Sequence, residues 1–201
     1  MHSFHFSTDY ILENDGVRLR PLTLDDVSNL LHFSLHEPEL WQYSLVQAGG
    51  EEALRHYIRQ AVEAREAGRE YPFIVFDKSQ NVFAGSTRFY DIQLENRTLL
   101  LGYTWYGKNH QGTGLNKHCK YLLLQFAFET MGMERVEFRA DNANQRSIRA
   151  MKSIGCVEEG LLRSHGRRPD GSRRDSIVLS ILRNEWFNGV KETLGAKLAR
   201  V

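Results

Sequence analysis

The chain has 201 residues, enough for one domain of ordinary size with a full core. Its 41% hydrophobic and 25% charged residues, with only 4 prolines, exclude a disordered chain, and a formal net charge of +1 gives no basis for wrapping nucleic acid or adsorbing to a membrane. Cys119 and Cys156 stand in no metal-ligand spacing, so no metal is expected, and both read as buried free thiols of a reducing compartment. Met1 to Asp9 lacks the basic and apolar blocks of a signal peptide, and no apolar run approaches the ~18 residues that span a bilayer. The expectation is a cytoplasmic protein with no membrane partner.

Val17 to Leu22 alternates as a strand, and Thr23 with Asp26 three residues on marks a capped helix start before Val27, Leu30 and Leu31. Leu54, Ile58, Ala61 and Val62 predict a second helix ending near Gly68. Tyr71 to Phe76 and Val82 to Tyr90 read as an antiparallel hairpin around Asp77 to Asn81, with Thr98 to Tyr106 as the next strand. Within that strand Tyr103, Trp105 and Tyr106 are divided between the two faces, so part of the set belongs to the core.

Leu115, Cys119, Leu122, Leu123, Phe126 and Ala127 then recur at helical spacing up to a stop at Gly132. Arg135 to Arg139 alternates charged and apolar side chains as a strand, and Ser147, Ile148, Met151 and Ile154 mark a helix closed by Gly155. Leu161 to His165 and Ser176 to Leu182 are strands about a Pro169-Asp170-Gly171 turn. A last helix, 183–199, carries Trp186, Val190, Leu194 and Leu198 on one face. No linker, repeat or low-complexity segment interrupts the series, which predicts one domain over 1–201.

The loop His110 to Lys117 places Gly112 and Gly114 at the mouth of a helix, where uncovered N–H groups and the helix dipole favour an anion such as a pyrophosphate. Glycine permits positive φ and close backbone approach, Thr113 offers a hydroxyl, and Lys117 offers charge in the first helical turn.

The sequence Gln111-Gly112-Thr113-Gly114-Leu115-Asn116, followed by Asn144-x-x-Ser147, Gly155 and Glu159-Gly160, resembles the GNAT family of acyl-CoA-dependent N-acyltransferases, most closely its RimJ/RimL-type branch. The resemblance covers about Val17 to Trp186. It implies a GNAT fold: a mixed, mostly antiparallel sheet flanked by helices, with a splayed central strand pair. It also implies acetyl-CoA, or another acyl-CoA such as succinyl-CoA, as co-substrate. The acceptor is then an amine on a protein N-terminus or a small molecule, attacking directly in a ternary complex. Family habit adds a possible homodimer.

Carried onto this chain, the resemblance assigns Thr104, Trp105 and Tyr106, facing Val136 to Arg139, to the pantetheine amides. It assigns Gln111, Gly112, Thr113, Gly114, Leu115, Asn116 and Lys117 to the pyrophosphate. Asn116 replaces the last small residue of the loop motif, a position where asparagine's tolerance of left-handed backbone would preserve the turn. Many relatives place a tyrosine acid seven residues after the motif asparagine, where this chain has Met151. RimL-type enzymes instead point to Ser147 beside the CoA sulfur, with Asn144 on the pantetheine arm. Asn144 also fits a helix cap, and Ser147 fits a helix residue bonded to the preceding turn.

The glutamate base of RimL-type enzymes has no counterpart in Leu161 to Gly166, which leaves His165, Glu95 or Asp91 through water, or solvent alone. Met151 and the missing glutamate also leave open a non-catalytic acyl-CoA-binding module. His110 and His118 read as loop and helix decoration, the former within reach of phosphate. Trp41 and Tyr43 fit either an acceptor wall or simple packing. Arg163 to Arg174 holds five arginines against Asp170, suited to solvent, to CoA phosphate, to an acidic acyl group or to an acidic surface such as RNA. Beyond this basic hairpin there is no nucleic-acid signal.

Overall fold

A computed structural model describes residues 4–198. The strands are β1 (Leu12–Glu13), β2 (Val17–Pro21), β3 (Tyr71–Asp77), β4 (Val82–Gln93), β5 (Thr98–Tyr106), β6 (Arg135–Asp141), β7 (Val157–Arg167) and β8 (Arg173–Leu182). The α-helices are α1 (Val27–His36), α2 (Glu51–Glu66), α3 (Leu115–Gln125), α4 (Gln145–Ser153), α5 (Arg183–Glu185) and α6 (Lys191–Leu198). All eight strands join one sheet in the order β1-β2-β3-β4-β5-β6-β8-β7. Every neighbouring pair is antiparallel except β5 with β6.

That exception positions the site. β5 and β6 pair only at Thr98↔Arg135, Leu99↔Val136 and Leu100↔Glu137, although β5 continues to Tyr106 and β6 to Asp141. Beyond Leu100 the two strands part, leaving a V between them. A bulge helps to open it: the β4–β5 register shifts between Ser86 and Arg88, and Tyr103 takes φ +49°. The sequence expectation is corrected in one respect, because Val136 and Glu137 lie in the paired stem and only β6 from Phe138 onward faces the opening.

Each face of the sheet has its own cover. On one, α3 and α4 bury Cys119, Leu123, Ile148 and Met151 against Leu99, Leu101, Phe138 and Ile177. On the other, α1 and α2 bury Leu30, Phe33, Leu54 and Ile58 against Ile74 and Trp105. The alternation in β6 follows from this arrangement: Val136, Phe138 and Ala140 belong to the first core, so Glu137 and Arg139 point to the second face, where the α1–α2 cover does not reach.

The capping box is present at Thr23, whose backbone N–H donates to Asp26. The terminal helix departs from expectation. Asn188 and Gly189 leave helical geometry, with Gly189 at φ +143°, so the segment breaks into pieces that still bury Trp186 and Leu194. Residue 199, which the expected helix includes, lies outside the described residues. The short β1 is an addition to the expected strands, since two residues carry no readable alternation.

Candidate active site

The loop from β5 to α3 is tied down by its own side chains. Gln111 Nε2 donates to the Tyr106 carbonyl at 2.6 Å, and Thr113 Oγ1 donates to the His110 carbonyl at 2.9 Å. Gly112 and Gly114 take φ +81° and +94°, conformations natural only to glycine. Among the described residues, no acceptor is found for the backbone N–H groups of Gly112, Thr113 and Gly114. They sit at the positive end of α3, the electrostatics a pyrophosphate needs.

Three expectations for this loop change. Thr113 has spent its hydroxyl proton on His110, so its backbone N–H is the donor left for a ligand. Asn116 is helical rather than left-handed, and its Oδ1 accepts from the Tyr106 hydroxyl at 3.3 Å. His110 is buried against Asp77, Nδ1 to Oδ2 2.9 Å, and is structural rather than phosphate-facing. Lys117 is half-buried in the first turn of α3 with no salt bridge among the described residues.

Asn144 caps α4 by accepting from Ser147 N–H at 3.1 Å, which fixes Ser147 in the first helical turn. Ser147 is half-exposed on the α3–α4 side of the sheet, and Met151 is buried in the core beneath it. His165 is placed elsewhere. It lies on β7 with Nδ1 3.0 Å from Ser176 Oγ and Nε2 3.5 Å from Arg139 Nη1, on the opposite face. The two expected catalytic residues therefore flank the sheet from different sides. Burial, then the Arg139 and Arg174 charges, push the His165 imidazole below its ordinary pKa and keep it neutral at pH 7.

Asp91 and Glu95 are at the closed end of the V, beside the Gln93↔Thr98 pair and away from the end where β5 and β6 part. The β7–β8 arginines are mostly committed. Arg168 binds Asp141, Arg173 binds Ser164, and the buried Arg174 donates to Ser176 Oγ and to the Tyr43 carbonyl. Arg174 thus closes the α1–α2 loop onto the hairpin, while Arg163, Arg167 and Arg173 stand exposed to solvent. Trp41 is core, 1% exposed and edge-on to Trp105 at 4.8 Å between centroids, while Tyr43 stands half-buried at the rim.

Two residues within this site escape a sequence reading. Glu137 stands at the stem of the V on the second face, paired with Arg135 and Arg139. Lys120 is 5% exposed, and its Nζ donates to Thr104 Oγ1 at 2.8 Å. A signal for it exists in the chain: Asn116, Lys120, Leu124 and Ala127 follow helical spacing onto the inward face of the segment.

A model of the acetyltransferase (GNAT) domain matches residues 17–157. The uncharacterized N-acetyltransferase p20 of Bacillus licheniformis is 25% identical over 176 residues, covering 87% of this chain and 97% of that protein. YdaF of Bacillus subtilis (strain 168), provisionally named a ribosomal N-acetyltransferase, is 30% identical over 102 residues, covering 51% of this chain and 55% of that protein. A solved structure from T. thermophilus, provisionally named an acetyltransferase, is 36% identical with a TM-score of 0.85, covering 96% of this chain and 98% of that one. With an anion-ready loop, a V between parallel strands and a family match over most of its length, this chain belongs to the GNAT family of N-acetyltransferases.

Proposed function

We propose that the protein transfers an acetyl group from acetyl-CoA to a primary amine, by direct attack within a ternary complex. The observation that carries this reading is the early parting of β5 and β6 after Leu100↔Glu137, with β5 running on to Tyr106 and into a loop with unpaired N–H groups. The loop Gln111 to Lys117 would hold the pyrophosphate, and the open edge from Thr104 to Tyr106 would pair with the pantetheine amides. One of those backbone N–H groups would polarise the thioester carbonyl. Ser147, in the first turn of α4, would donate a hydrogen bond to the sulfur.

The acceptor would approach from the second face, between the half-buried Tyr43 at the rim and the β7–β8 hairpin. There neutral His165 can take up the proton that the attacking nitrogen loses. Its place two strands from the V puts water between the two. The buried thiols do not serve a covalent route, since burial pushes both Cys119 and Cys156 up to about 12. The provisional name of YdaF favours a protein N-terminus, in the RimJ/RimL manner, over a small amine.

Acetyl-CoA and succinyl-CoA offered in competition to a panel of peptide N-termini, polyamines and small amines, with products read by mass spectrometry, tests the reading. An acetylated peptide N-terminus as the main product is expected. Succinylated product would replace the donor, and a modified small amine would replace the acceptor. Ser147→Ala should lower kcat on the order of 10²-fold.

A further inference from the structure

Lys120 is a buried ammonium with no counter-ion. Among the described residues no carboxylate forms a salt bridge with it. The titratable groups nearest to it are the Cys119 and Cys156 thiols, and burial keeps both protonated at neutral pH. Burying a charge unpaired is costly, so a fold that keeps one implies a use for it.

Its position suggests that use. The side chain rises from α3 into the fork of the sheet, with Nζ on Thr104 Oγ1 of β5 and 5.8 Å from the centre of the Phe138 ring on β6. Both contacts lie on the unpaired stretches beyond the last β5–β6 pair, Leu100↔Glu137, Phe138 directly after it on β6 and Thr104 four residues along β5. Thr104 Oγ1 is in turn 2.8 Å from Thr87 Oγ1 on β4, so the amine is held in one place. With the cofactor placed as proposed above, a pantetheine arm entering past the glycine loop would run toward this convergence of the strands.

We infer that Lys120 is the catalytic group that receives the departing CoA thiolate, stabilising it as an ammonium and supplying its proton. The inference rests on the cofactor placement of the preceding section. Ser147 does not suffice alone, because an aliphatic hydroxyl is far too weak an acid to protonate a thiolate, whereas burial brings the Lys120 ammonium down to about 8, close to an ordinary thiol. In the transfer, the amine nitrogen lone pair forms the C–N bond and the C–S bond breaks with its electrons on sulfur. The sulfur takes a proton from Lys120, the nitrogen gives its surplus proton to water on the His165 side, and Lys120 is reprotonated from solvent.

The test is the ionisation of CoA itself. The ultraviolet absorbance of the thiolate, titrated for free CoA and for CoA bound to the wild-type protein, should show bound thiol ionising at lower pH by about one unit, a tenfold change in the equilibrium. Lys120→Met and Lys120→Gln should raise the midpoint to that of free CoA or above, with kcat falling on the order of 10²-fold. A wild-type midpoint equal to or above that of free CoA overturns the inference even if neither variant folds, as does an unchanged midpoint in a folded variant. Absence of CoA binding to the wild-type protein would instead overturn the cofactor placement.

Discussion

Arg168 grips Asp141 through two bonds, Nε to Oδ2 at 2.6 Å and Nη2 to Oδ1 at 2.8 Å, and so fastens the β7–β8 turn to the end of β6. The same carboxylate accepts from Ala143 N–H at 2.9 Å and shapes the approach to Asn144 and Ser147. One buried acid thus orients both the β7–β8 hairpin and the start of α4. The Arg168 bonds hold the Asp141 carboxyl below the usual carboxylate range. A carboxyl whose folded pKa is depressed contributes its full stability above the unfolded value near 4 and loses it as pH falls through the folded value. Thermal melting followed from neutral to acid pH should show a steeper decline below about pH 4 in the wild type than in Asp141→Asn.

Gly112→Ala separates ligand binding from folding. A Cβ at Gly112 meets nothing within 4 Å, so the cost to the fold is the left-handed backbone alone, about 1 kcal/mol. The methyl would project from the loop whose N–H groups are proposed to hold the pyrophosphate. The expected result by calorimetry is CoA affinity reduced roughly tenfold or more, with the melting temperature little changed.

Asn144 distinguishes capping from ligand contact. Asn144→Ala should destabilise the protein by about 1 kcal/mol through loss of the α4 cap. Asn144→Ser restores an oxygen that can accept from Ser147 N–H, but it does not restore an amide for pantetheine. Chemical denaturation should therefore show the serine variant near the wild type, while calorimetry shows its CoA affinity still lowered.

Lys120 makes an alkaline prediction: as with Asp141 stability rises with pH, but here because the charged form is a cost at neutral pH. Its folded pKa of about 8 lies below the reference of 10.5, so between those values the unfolded chain binds more protons and stability rises with pH. Below about pH 8 the buried ammonium costs about 3 kcal/mol. Cys119 and Cys156, raised from 9.0 to about 12, oppose the rise above pH 9, so the readout is the difference between wild type and Lys120→Met: by urea unfolding the variant should be the more stable at neutral pH, with the gap narrowing between about pH 8 and 10.5.

How far the sequence discloses this molecule depends on the kind of interaction. Thr98 to Tyr106 is found at its expected bounds because its apolar residues and flanking turns are local signals. The glycine loop is legible for the same reason: a positive φ at Gly112 and Gly114 is written in the residue type. The parting of β5 from β6 is not written locally. It arises from strand register and the bulge at Tyr103, a tyrosine that nothing in the sequence marks as left-handed. Pairings over long separations are likewise hidden, as with His110 and Asp77, 33 residues apart, or Arg174 and the Tyr43 carbonyl. Lys120 escapes notice because an apolar stripe with one lysine reads as a helix edge until β5 and β6 are seen to enclose it.

The most direct measurement is the initial rate of free-thiol release from acetyl-CoA, compared at saturating primary amine and with no amine. An N-acetyltransferase that works by direct attack predicts saturable, amine-dependent release with no burst in the absence of acceptor. Equal release with and without amine, or none despite tight CoA binding across a broad acceptor panel, would contradict it.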